Sequence, residues 1–297
     1  GRKICEGRQD KIHNQPQHKN LRAVGANELL QAIALLTTYH RKQSEQEAPV
    51  SCKRDDILNL SLNEYQNLVV SATDGLIEAG KTLFQQNLFT SRDLPYTTQV
   101  VPLSAILSLL GDQADIDTVR EKIARWFWCG VFGELYGGAI ETRFGKDVVD
   151  VLEWVAGGKE PKTVEDCNFA PTRLNTLRTK NSAAYKGLYA ILMRDGGLDF
   201  RTGKRIEVLS YFEESVDIHH IFPRKWCRNQ GIEYRFYDSI INKTPLSYKT
   251  NRIVGGNAPS IYLKKLREDT GMTEERQNEI LASHVIDVEA LKRDDFW

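Results

Sequence analysis

From Asn27 to Val155 the apolar residues return every three or four positions in five successive runs, a spacing that confines this half of the chain to packed amphipathic helices. The first run, Asn27 to Tyr39, carries Leu29, Leu30, Ile33, Leu35 and Leu36. A polar insert with Pro49 follows, from Lys42 to Asp55. Ser61 with Glu64 has the spacing of a capping box and opens a second helix, bearing Leu62, Tyr65, Leu68, Val69, Ala72, Leu76 and Ala79, that ends near Asn87. Leu94-Pro95-Tyr96 interrupts the pattern before a buried helix from Val101 to Leu110. Further helices are expected over Ile116–Phe132 and Ala139–Val155, the last closed by Gly157-Gly158. The aromatic cluster Trp126-Phe127-Trp128 is expected to pack between helices rather than to stack on bases. No Gly-x4-Gly-Lys-Ser/Thr loop occurs, so nucleotide is not bound by that route.

Between Lys159 and Asp166 the chain turns charged and acquires Pro161, which places a domain boundary there. Residues 1–165 then form a helical domain preceded by a basic arm with Arg2, Lys3, Arg8, Lys11 and Lys19. Residues 166–297 form a second domain. In it, a helix from about Ser182 to Met193 and a tight turn at Asp199–Gly203 precede a short apolar strand, Val216–Ile221.

That strand holds the chemistry. It reads Asp217-Ile218-His219-His220-Ile221-Phe222-Pro223, and about thirty residues later Asn242 and Asn251 stand nine positions apart. Cutting a phosphodiester requires a base to deprotonate water, a cation to offset charge on the phosphorane, and a group that holds the base in place. Neutral imidazole suits the base. A hard cation that keeps most of its waters needs few protein ligands, so one imidazole and one amide oxygen suffice. In a strand His219 and His220 would diverge, and the proline turn at Pro223 is expected to twist both toward one cleft. A second strand is expected near Lys243–Leu246 and a helix from Ser260 to Asp269. The bland alternatives are solvated histidines, a capping Asn242 and a turn-forming Asn251 before Gly255-Gly256.

Order and spacing together resemble the HNH (ββα-metal, His-Me finger) endonucleases, most closely the domain that closes GmrSD-type restriction proteins, and also the SspE-like proteins. The resemblance covers the last third of the chain. It implies an α+β nuclease domain of ββα-metal type, which with the helical bundle read from periodicity in the N-terminal half makes the expected fold mainly α. It implies that His220 is the general base, with Asn242 bracing its loop in the catalytic group. Metal ligation would fall to His219 and Asn251, with Asp217 adding a carboxylate or orienting His219. Relatives often carry Asp or Glu at the position of His219, so Mg2+ or Mn2+ is expected and softer ions are tolerated. The family also implies a prokaryotic anti-phage role and an upstream nucleotide-hydrolysing, modification-sensing domain outside these residues.

Composition sets the partners. Forty basic and forty acidic residues cancel, but between His219 and Arg267 ten bases face two acids, an excess of eight positive charges that a phosphate backbone would seek. Duplex DNA is therefore the expected partner, contacted by Arg224, Lys225, Lys243, Lys249, Arg252, Lys264 and Lys265. One such site cuts one strand, so nicking is the elementary act and double-strand cutting would call for two subunits, as in a homodimer, or two events. The rivals are a catalytically weak DNA-binding module and an RNA-directed or toxin-type nuclease. Five separated cysteines without a Cys-x-x-Cys pair, and no apolar run of membrane length, point to free thiols and a cytoplasmic, non-membrane protein. His284, on a polar helix away from the motif, is expected to be structural, as are His13, His18 and His40.

Overall fold

A computed structural model describes residue 12 and residues 16–138, 140–206 and 216–297. The chain is mainly helical and divides into two compact units, the second running Ala170–Trp297. The first unit ends at Phe169, four residues beyond the expected boundary. The reason is local: the short helix Lys162–Glu165 packs on the two helices before it, so the charged proline stretch belongs to the first unit.

The first unit is built on α1 (Ala26–Ser44), α2 (Leu62–Gln85), α3 (Val100–Leu110), α4 (Asp117–Phe132) and α5 (Glu141–Val155). Helix α3 is apolar on every side, and Val100, Val101, Leu103, Ala105 and Ile106 are all fully buried. A helix apolar all round has to be enclosed by neighbours. Here α1, α2 and α5 pack against it. Ser61 caps α2, accepting from the Glu64 N–H while the Glu64 carboxylate accepts from the Ser61 N–H at 2.9 Å. The 126–128 aromatics lie inside, and Trp128 Nε1 donates to Gln86 Oε1 at 2.9 Å.

Three expectations for this half are revised. Residues 16–21 form a 3-10 turn with Leu21 and Asn20 buried, and the Asn20 amide donates to the carbonyls of Gly80 and Leu88 at 2.9 and 3.0 Å. The basic arm thus ends earlier than composition suggests; Arg2, Lys3, Arg8, Lys11 and His13 lie outside the described residues. The helix expected from Ala139 begins at Glu141, and Ala139 is also outside them. The polar insert contains a helical turn, Arg54–Leu58, whose start is held by Asp56 accepting from the Lys53 N–H at 2.8 Å.

The second unit contains α6 (Ala183–Arg194), β1 (Val216–His220), α7 (Arg224–Asn229), α8 (Tyr234–Tyr237), β2 (Lys243–Ser247), α9 (Tyr248–Val254), α10 (Pro259–Thr270), α11 (Glu274–Ala282) and α12 (Val288–Lys292). β1 and β2 pair antiparallel, from Val216 opposite Ser247 to His220 opposite Lys243. Two strands alone are marginal in water. These two are held by helices: α9 packs on both strands, α10 packs on α9, and Leu246, Val254, Tyr262, Leu266, Ile280 and Leu281 share one core. Burying each such side chain contributes about 1.5–3 kcal/mol. The Tyr262 hydroxyl donates to the Ile221 carbonyl at 3.0 Å, tying α10 to the residue that follows β1.

Among the described residues no helix is long and apolar enough to cross a membrane. Cys52, Cys129, Cys167 and Cys227 are free thiols.

The α2–α3 contact yields a stability test. A Cβ at Gly75 would press on the Ser104 carbonyl oxygen and on Ser108. Alanine is favoured over glycine in a helix by about 1 kcal/mol, but a main-chain oxygen cannot swing aside and overpacking costs roughly 1–3 kcal/mol. Gly75→Ala should therefore lower unfolding stability in urea by about 1 kcal/mol net, rather than raise it as at an exposed helical glycine.

Candidate active site

Pairing in β1 stays regular to its last residue, so the Cβ atoms of His219 and His220 leave opposite faces of the hairpin. The expected twist lies beyond the histidines: the chain bends only at Ile221 and Phe222, just before Pro223. His219 is half-buried opposite Thr244, and His220 stands opposite Lys243. The side chain of Asp217 lies outside the described residues.

His220 is 15% exposed and its Nε2 lies 2.9 Å from Asp238 Oδ1. Asp238 is itself enclosed, with Arg224 Nη2 at 2.7 Å and Lys243 Nζ at 3.4 Å from the same oxygen. Burial raises the Asp238 pKa. The Tyr234 hydroxyl, His220, Arg224 and Lys243 outweigh that and hold it down at about 2. For His220 the balance runs the other way: burial, helped by the positive charges of Arg224 and Lys243, outweighs Asp238 and lowers the pKa to about 4. His220 is consequently neutral near pH 7, the form a base requires. Nothing in the sequence pattern singled out Asp238. Its only mark is being one of two acids in a strongly basic stretch.

Asn242 is buried, and its side chain is wholly engaged with the main chain. Oδ1 accepts from the Phe222 N–H at 2.8 Å, while Nδ2 donates to the carbonyls of Phe222 and Tyr237 at 3.0 and 2.9 Å. The Ile221 N–H donates to the Asn242 carbonyl at 2.9 Å. One side chain thus joins the bend after His220 to the turn that carries Asp238. Every amide group of Asn242 is engaged in this way, which agrees with a bracing asparagine and leaves none of it to meet a ligand.

Asn251 sits in α9, a helix the sequence did not suggest. The helix expected from Ser260 exists as α10, but α9 comes first and follows β2 without a break. Ser247 caps it, accepting from the Thr250 N–H at 3.3 Å. Beneath the cap lies Asp199, buried and accepting from the Ser247 N–H at 3.1 Å and the Thr250 hydroxyl at 2.8 Å. Burial raises the Asp199 pKa, but these donors and the Thr202 N–H outweigh it and leave the carboxyl lowered. The signal was Ser247 three residues before Thr250, too short a pattern to compete with Gly255-Gly256. β1, β2 and α9 make a hairpin followed by a helix, with half-buried Asn251 on the helix.

His284 also differs from expectation. It is not remote from the motif: it is buried against β2, with the Thr244 hydroxyl at Nδ1 and the Leu198 carbonyl 2.6 Å from Nε2. Burial lowers its pKa to about 4, with the Leu198 carbonyl and Asp199 opposing.

Among the described residues no three His, Cys, Asp or Glu side chains are grouped to hold a metal. The described groups therefore build no closed zinc-type cage. Imidazole and amide oxygen are donor types that a hard ion retaining its waters accepts, but the regular pairing of β1 sends His219 to the face opposite His220.

The expected DNA contacts divide. Arg224, Lys225, Lys249, Arg252, Lys264 and Lys265 are exposed. The Lys225 stem lies against Gly256, just past α9, so the start of α7 and the end of α9 adjoin. Lys265 Nζ donates to Asn257 Oδ1 at 3.3 Å. Lys243 departs from the expectation: its side chain is 5% exposed, it donates to the Arg178 carbonyl at 2.7 Å, and it faces Asp238. It is an internal counter-charge, not a phosphate contact.

His284, which is buried, and His220, 15% exposed, make stability pH-dependent. Their folded pKa values, about 4, lie below the unfolded 6.5. Between those values only the unfolded chain takes up the protons, so their contribution is complete above pH 6.5 and declines as pH falls toward 4. The loss is on the order of 3 kcal/mol per histidine. Urea melts at pH 7 and 4.5 should show it, and His284→Gln should flatten the slope while lowering stability at pH 7.

No family model matches the chain. It is 31% identical over 207 residues to a protein of Methanocaldococcus jannaschii described only as uncharacterized. The matched region is 66% of this chain and 34% of that protein, so the chain spans about a third of its relative's length.

Proposed function

We propose that the second unit is a divalent-metal-dependent phosphodiesterase of HNH type that nicks duplex DNA. The observation that carries this reading is His220: an imidazole 15% exposed at the end of the hairpin, set against Asp238 and with its loop locked by Asn242. A histidine serving only as a solvated surface group would need neither the burial nor the lock.

In the proposed reaction His220 removes a proton from water. The water oxygen forms a bond to phosphorus, the bond from phosphorus to the 3′ oxygen breaks, and that oxygen takes a proton from solvent, leaving 5′ phosphate and 3′ hydroxyl ends. The reading requires the ring of His219 to reach round the edge of the hairpin to the His220 face, where it and Asn251 would hold Mg2+ or Mn2+, which when bound offsets charge on the phosphorane and the departing oxygen. Arg224, Lys225, Lys249 and Arg252 supply sequence-independent contacts to the backbone. The same reading places the unit in prokaryotic anti-phage restriction, working with an upstream nucleotide-hydrolysing domain.

Supercoiled plasmid should be nicked in Mg2+ or Mn2+ and not in EDTA, and His220→Ala should slow nicking by about 100-fold or more with fold and DNA affinity retained. Undiminished activity in that variant would remove His220 as the base. Metal-dependent cutting of structured RNA but not DNA would change the substrate, and DNA binding without any cutting would leave a binding module.

The charge assignments predict salt behaviour. Lys249→Ala and Arg252→Ala should each reduce the slope of log affinity against log salt by about 0.9 per lost phosphate contact. Lys243→Ala should leave the slope unchanged and lower folding stability instead. Fluorescence anisotropy on a duplex across a salt series measures the difference.

A further inference from the structure

We propose that Asp238 is a positioning residue that fixes His220 in the tautomer carrying its proton on Nε2, which leaves Nδ1 as the nitrogen able to accept a proton. This rests on the reading of His220 as the base. It adds which of its two nitrogens does the work and which residue decides that.

The chemistry is one of donors and acceptors. An ionised carboxylate can only accept, so at 2.9 Å from Asp238 Oδ1 the His220 Nε2 has to donate. The other tautomer would set a ring lone pair against a carboxylate lone pair and use up the acceptor on Nδ1. Arg224 Nε also approaches Nε2, at 3.3 Å, and as a donor it would favour that other tautomer. Both partners are charged, and the carboxylate, closer by 0.4 Å (2.9 against 3.3 Å), sets the tautomer.

For this to hold, Asp238 has to stay ionised although it is buried. Arg224 from α7 and Lys243 from β2 both stand against Oδ1, and the Tyr234 hydroxyl from α8 bonds the same carboxylate. Lys243 is in turn fixed by the Arg178 carbonyl and sits 5.7 Å from the Tyr185 ring centre. The Asp238 main chain is held as well: its N–H donates to the Tyr234 carbonyl at 3.0 Å, and Asn242 holds the neighbouring Tyr237 carbonyl. A carboxylate present only to pair with surface cations would need no such enclosure.

The test uses the full chain labelled with 15N-histidine. In metal-free wild type at neutral pH, His220 should show a protonated Nε2 and an unprotonated Nδ1. Asp238→Asn presents either an oxygen or an NH2 to the ring, so the tautomer preference should be lost. Nicking kcat should fall roughly 10- to 100-fold at unchanged KM, and Asp238→Glu should recover part of it. A wild-type His220 protonated on Nδ1 overturns the proposal, as does an Asp238→Asn chain with unchanged tautomer and kcat. If Asp238→Asn does not fold, Asp238→Glu, which keeps a carboxylate, should preserve the Nε2–H signature, and a Glu variant protonated on Nδ1 would contradict the role. A wild type that shows the expected tautomer but never nicks defeats the nuclease reading, not the assignment of the tautomer.

Discussion

The Asn242 side chain is the constraint on which the geometry of the second unit depends. A two-stranded ladder cannot by itself fix the chain that leaves it. Asn242 does so by satisfying both the N–H and the carbonyl of Phe222 and by reaching the carbonyl of Tyr237. Those groups lie on either side of the site, one just after His220 and the other just before Asp238. Removing the amide would leave buried main-chain groups without partners, at roughly 1–3 kcal/mol each. It would also free the two side chains to drift apart.

Around that lock, polarity is arranged in nested pairs. Asp238 is kept ionised by the Tyr234 hydroxyl, His220 and the two cations, while burial, helped by the same cations, keeps His220 neutral. On the other side of the hairpin, Asp199 holds the β2–α9 junction through Ser247 and Thr250, while His284 bridges Thr244 and the Leu198 carbonyl. Each buried polar group thus meets a partner from a distant stretch of chain. A half-satisfied network of this kind is costly, so these contacts select one arrangement of hairpin and helix rather than merely adding stability. Arg224, at the start of α7, belongs to this network and is also exposed, as are Lys225 beside it and Lys249 and Arg252 on α9.

The sequence displayed what repeats or what is chemically distinctive. Helical periodicity marked the helices of the first unit, because burial on one face leaves a regular trace. The paired histidines and spaced asparagines marked the hairpin. Long-range pairing left no such trace. Asp238 is an ordinary aspartate until folding brings it to His220, and Asp199 looked like a turn residue before it met Thr250. Lys243 resembled its basic neighbours because composition cannot tell a buried ammonium from a solvated one. Helix α9 was missed because seven residues ending in Gly255-Gly256 are too few to display a period. The short helix Lys162–Glu165 was passed over for a related reason: its charged, proline-bearing composition describes a linker as well as a turn packed on a bundle.

The central claim is that this unit hydrolyses phosphodiesters with an activated water and a divalent ion. The most direct measurement is the chemistry of the ends left on a labelled duplex after incubation with the full chain. The account predicts 5′ phosphate and 3′ hydroxyl termini that form only when Mg2+ or Mn2+ is added. Intact duplex under those conditions, or termini of another kind, would contradict it.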